Sequence, residues 1–113
     1  NVFIDFHAEA TSEKRALGLF LNPFATAIIG THTHVPTADE QIIGKKTAYI
    51  TDVGMVGSRD SIIGDEPDEV ISHFLLQVPH HFKPAKDNIY ANTVIVDFDE
   101  NTGIAQSIIR FNF

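Results

Sequence analysis

The run Ala27-Ile28-Ile29-Gly30-Thr31-His32-Thr33-His34 begins as a short apolar segment and ends in two histidines one residue apart. Its first four residues read as a buried β-strand. Upstream, residues 2–6 form another short β-type run. Thr11 and Ser12 then offer N-caps for a helix reaching about Leu21, with Ala16, Leu17, Phe20 and Leu21 as its buried stripe. Asn22-Pro23 ends that helix, so the order strand–helix–strand predicts a crossover unit.

His32 and His34 would share one face of an extended backbone. Ligands gather at the carboxyl ends of strands in open α/β sheets, and imidazole is a usual ligand for zinc, iron or manganese-type centres. His7 also leaves the carboxyl end of a predicted strand, so neighbouring parallel strands would bring it beside the other pair. A lone histidine is more often a hydrogen-bonded loop residue. Three at matching strand ends point to a metal site.

Downstream, residues 41–43 and 47–51 flank Gly44-Lys45-Lys46 as a hairpin, and residues 52–64 read as a glycine-punctuated loop. Asp65 is expected to cap a second helix with Pro67 in its first turn and Val70, Ile71, Phe74, Leu75 and Val78 on one side. Pro79 stops it. Residues 80–88 show no period, and residues 93–99 and 104–113 form a closing β-hairpin around Asp99-Glu100-Asn101-Thr102-Gly103. The expectation is one α/β piece of five or six strands and two helices.

Composition sets limits. At 43% hydrophobic and 20% charged, the 113 residues resemble an ordinary soluble domain. The longest apolar stretch, residues 16–21, is far short of the roughly 20 residues a spanning helix needs, so no membrane segment is expected. A formal charge of −7 opposes binding of large polyanions, yet bound divalent cations would let a small phosphate ester approach. The absence of cysteine permits the cytoplasm, the expected compartment. Asn1 comes first, Met55 is the only methionine, and Val2-Phe3-Ile4 reads as a core strand with nothing before it; the chain is therefore expected to be a fragment.

The segments Asp5-Phe6-His7-Ala8-Glu9-Ala10-Thr11-Ser12-Glu13-Lys14, Gly30-Thr31-His32-Thr33-His34, Thr37-Ala38-Asp39-Glu40 and Thr51-Asp52-Val53-Gly54-Met55 resemble the YmdB-like branch of the calcineurin-type metallophosphoesterases. The match runs through about residues 2–64 and is less distinct beyond. It implies that residues 1–113 are the C-terminal part of a single α/β/β/α sandwich domain, with a mixed sheet and a closing hairpin. It also implies His7 and His32 on one metal and His34 on the other, in a pair of divalent ions drawn from iron, manganese or zinc. The family's other ligands, an early aspartate, a bridging acid with an adjacent asparagine, and an Asn-His pair, belong to an earlier half. Asn1, Asp5, Asn22 and Asp52 are not at matching motifs and inherit no role. The implied activity is two-metal hydrolysis of small phosphodiesters, 2′,3′-cyclic nucleotides above all. The missing N-terminal half would be the main partner, homo-oligomers are compatible with the resemblance, and the chain by itself is expected to be inactive.

Other residues carry paired readings. Glu13 either orients an imidazole or complements the helix dipole. Glu9 and Asp5 invite the same idea with less support, since Asp5 can face the other side of the sheet. Asp39-Glu40 reads as a solvated turn, and the Gly54–Gly57 loop as a turn or, with Arg59, a phosphate contact. His73, His80 and His81 are expected at the surface. Phe74, Phe98, Phe111 and Phe113 are expected in the core or in a buried subunit contact. Two other function classes fit less well. An amidohydrolase-type site also uses His-x-His after a strand but needs further strand-borne ligands. A non-catalytic metal-binding or interaction module would more typically use cysteine.

Overall fold

The computed structural model describes residues 1–79 and 81–113. Strand β1 (Phe3–His7), helix α1 (Thr11–Leu21) and strand β2 (Ala27–Thr31) form the expected crossover. The two strands are parallel, in register from Phe3↔Ala27 to His7↔Thr31. Strand β4 (Thr47–Ile50) lies parallel on the other side of β2, and β3 (Gln41–Ile43) pairs antiparallel with β4 at the edge. The sheet order is β1-β2-β4-β3. Gly44 and Lys45 both take positive φ, and the Lys46 N–H closes onto the Ile43 carbonyl, which makes the β3–β4 turn.

Side-chain alternation sorts this sheet into two faces. Ala27, Ala48 and Ile50 pack with Ala105 and Ile108 of the second sheet, supported by Ile29, Val94, Val96 and Phe98. Ile28 and Tyr49 point the other way and pack with Ala25, Ile43, Ile4 and Leu21. The result is helix, mixed sheet, second sheet. That second sheet is antiparallel, β5-β6-β7, built from β5 (Val56–Ser58), β6 (Ile89–Phe98) and β7 (Ala105–Asn112). Its β6–β7 turn is held by Asp99 Oδ1, which accepts from the Asn101 and Thr102 N–H groups. The α/β class, the mixed sheet and the closing hairpin are as expected. Strand β5 falls in the segment read as a loop, and the strand count among the described residues rises to seven.

Several local expectations are corrected. Thr11 is the first helical residue and Ala10 occupies the cap position of α1, with no side-chain cap bond. The buried side of α1 is Lys14 and Gly18, whereas Ala16 and Phe20 are exposed and line an open groove with Phe6, Glu13 and Leu17. Gly18 explains the inversion: a Cβ there would lie 2.5 Å from the Tyr49 ring, so the helix approaches the sheet through its bare backbone. Helix α2 (Pro67–Leu76) is capped at Glu66 rather than Asp65, and it ends at Gln77 in the left-handed conformation. Val70 alone of its apolar side is buried; Ile71, Phe74, Leu75 and Val78 are exposed. His73 is not fully at the surface as expected. It is half-buried beside Phe74 and edge-on to Phe82 at 5.5 Å. Phe98 joins the core, but Phe111 and Phe113 are exposed. His81 is exposed, and His80 lies outside the described residues.

Candidate metal centre

The parallel register sets His7 directly opposite Thr31, and the next residue along the chain from β2 is His32. Thr31 Oγ1 donates to Asp5 Oδ1 at 2.8 Å, so it has a lone pair to accept from His7 Nδ1 at 3.2 Å. In the neutral imidazole that bond places the proton on Nδ1 and leaves Nε2 as the lone pair. Nε2 is directed at His32 Nδ1, 3.0 Å away, with the two rings 4.8 Å apart and nearly perpendicular. Two nitrogens bound cis on one cation at about 2.0–2.1 Å would be separated by about 3.0–3.4 Å. The pair therefore fits a shared divalent ion. Both rings are exposed to solvent, which leaves a route for entry.

His34 does not join that pair. Strand β2 ends at Thr31, and His32 and His34 take φ of 121° and 65°, so the segment curls and its histidines do not lie along one extended face. His34 Nδ1 donates to the Ile63 carbonyl at 2.6 Å, which leaves its Nε2 as the free lone pair. Ile63 itself has φ of 48°, a rare state for a β-branched residue. Conformations of this kind cost about 1–3 kcal/mol each and persist where the surroundings dictate them. Among the described residues, no three His, Asp or Glu side chains form a group able to hold an ion unaided.

The surroundings here centre on Asp52. Its Oδ2 accepts from Lys14 Nζ at 2.7 Å and from the Thr33 N–H at 2.9 Å, and its Oδ1 accepts from the Gly54 N–H at 2.9 Å. The Lys14 and Asp52 side chains are only 1% and 0% exposed. Burial pushes the Asp52 carboxyl pKa up, but the bonds from Lys14, Thr33 and Gly54 outweigh it and hold the group below its usual 3.8. Nearby, Asp39 accepts from the hydroxyls of Thr37 and Thr51 and from the Thr51 N–H. Burial raises its pKa, and these bonds more than offset that. Gly30 permits the close approach of the residue that follows β4, since a Cβ there would meet the Thr51 carbonyl at 1.7 Å.

A family model described as YmdB-like protein matches residues 1–111. The chain belongs to the YmdB-like family. A Bacillus subtilis (strain 168) relative named 2′,3′-cyclic-nucleotide 2′-phosphodiesterase is 49% identical over 109 residues, covering 96% of this chain and 41% of the relative. A crystal structure of a hypothetical protein from Thermus thermophilus superimposes with a TM-score of 0.92 at 40% identity, over 99% of this chain and 44% of that one. A structure of a novel phosphatase from Mycoplasma pneumoniae gives 0.90 at 42% identity, over 96% and 39%. This YmdB-like chain thus spans about two fifths of the length of these relatives.

Within the YmdB-like chain, of the acids singled out from sequence it is the less favoured Asp5 that is tied to His7, through Thr31. Glu9 and Glu13 are exposed, and the groups that reach His7 are Thr31 and, behind it, Asp5. Asp5 precedes His7 by two on a strand, so the shared face was available from alternation alone. Lys14–Asp52 had only a faint signal, the i, i+4 spacing of Lys14 and Gly18. Arg59 lies over the Tyr90 ring, 4.8 Å from its centroid.

Proposed function

We propose that this chain carries the late histidine ligands of a two-metal phosphodiesterase acting on small phosphodiesters, with 2′,3′-cyclic nucleotides as the substrate class. The observation that carries the reading is the approach of His7 Nε2 to His32 Nδ1 at 3.0 Å, at the ends of adjacent parallel strands. These two nitrogens would hold one cation and His34 Nε2 a second. Neutral imidazole suits iron or zinc, and manganese is added by the family resemblance. Two such cations, when bound, supply hydroxide near neutral pH and offset charge on the phosphoryl oxygens.

The chain's own part is to hold and aim. Asp5 and Thr31 keep the His7 lone pair on Nε2, and the Ile63 carbonyl does the same for His34. The name of the Bacillus subtilis relative supports the substrate class. A net charge of −7 favours small esters over polyanions. The remaining ligands are expected from the part of the protein that the longer relatives possess and this chain does not span.

The test is hydrolysis of 2′,3′-cyclic AMP, with metal content, by the intact protein and its His32→Ala and His34→Ala variants. Each substitution removes a ligand and is expected to lower turnover by at least about 100-fold, the upper end of the range for groups that only orient metal ligands. The 113-residue chain alone is expected to show none. Normal turnover in both variants would discard the reading.

A further inference from the structure

We propose that the buried Lys14–Asp52 ion pair is the positioning device of the metal centre, an inference that rests on the two-metal reading above. Thr33 is the single residue between His32 and His34, and its N–H is bound by Asp52 Oδ2 at 2.9 Å. The same oxygen takes Lys14 Nζ at 2.7 Å, and Oδ1 takes the Gly54 N–H. One carboxylate therefore ties helix α1, the β2–β3 turn and the segment after β4 to a common point. Holding the backbone of the middle residue restricts where both flanking residues, which take unusual positive φ on either side of it, carry their rings.

Fold stability is a weak reason for such a pair. A buried ion pair seldom stabilises more than apolar side chains of equal volume, and its best-attested use is to specify one arrangement among several. Lys14 occupies the sheet-facing side of α1, where an apolar residue is the ordinary choice. Its cation neutralises Asp52 and leaves the carboxylate oriented toward Thr33.

The experiment compares the intact protein with Lys14→Met/Asp52→Asn, Asp52→Glu and, as reference, His32→Ala. Affinity for Mn²⁺ is measured by chelator competition, and folding by circular dichroism. The double variant and Asp52→Glu are expected to fold and to bind Mn²⁺ about 10–100-fold more weakly, the range for groups that orient metal ligands. Wild-type affinity in either folded variant, with binding lost in His32→Ala, would overturn the positioning role alone. Wild-type affinity in His32→Ala as well would overturn the metal centre. If neither variant folds, amide exchange in the metal-free wild type decides: protection of Thr33 like that of Ile29 supports the role, and exchange at the rate of an open loop overturns it.

Discussion

At the scale of single residues, the centre is a matter of which nitrogen carries a proton. Thr31 settles this for His7 because its hydroxyl proton is committed to Asp5, so only its lone pair faces the ring. Thr31→Val keeps shape and suits a strand, but it frees the imidazole to change tautomer and rotate. Metal affinity of the intact protein, measured by titration calorimetry, is expected to fall about 10–100-fold with no loss of fold; unchanged affinity would contradict the tautomer argument. The two bonded aspartates give a second expectation. Asp39 and Asp52 both have folded pKa values below the usual 3.8, so the unfolded chain takes up protons first as pH falls. Their contribution is complete above about pH 5 and is lost progressively as pH drops through about 4 toward the lowered folded values. The urea midpoint of the metal-free protein should fall over that window, and Asp39→Asn should make the fall shallower.

At the scale of elements, the strands and helices are largely those expected from periodicity, whereas their outward and inward sides are not. Ile28, Ile29, Ala48 and Ile50 announce buried strands because both of their faces are covered. Helix α1 misleads because it meets the sheet through Gly18 and a charged Lys14, neither of which an apolar pattern marks. Gly18→Ala tests this. In an open helix the change would stabilise by about 1 kcal/mol; here the methyl meets Tyr49, and thermal unfolding is expected to show a loss of about 1–3 kcal/mol. A gain would show that the helix has room to lift. Strand β5 was illegible because Val56-Gly57-Ser58 has little strand character of its own and exists by pairing with β6. The same holds within the site. His7 and His32 could be read from strand ends, but the curl that turns His34 away depends on Asp52 and on Ile63, the latter 29 residues further along the chain.

At the scale of the whole molecule, the chain is a slab of 53 × 28 × 18 Å with a radius of gyration of 16.7 Å, against about 13 Å for a compact domain of its length. Phe20, Phe74, Leu75 and Phe113 are all more than two-thirds exposed, and β1 is an open sheet edge carrying His7. Composition alone indicated a domain with a modest core; it could not show that so much of the apolar surface faces outward. None of the helices among the described residues is long and apolar enough to cross a membrane. His7, His32 and His34 are all exposed, and the chain spans about two fifths of the length of its relatives. The most direct test is an anomalous difference map from crystals of the intact protein grown with Mn²⁺. The expected result is one peak bonded to both His7 Nε2 and His32 Nδ1 and a second bonded to His34 Nε2. Peaks elsewhere, with all three nitrogens free of metal, would contradict it.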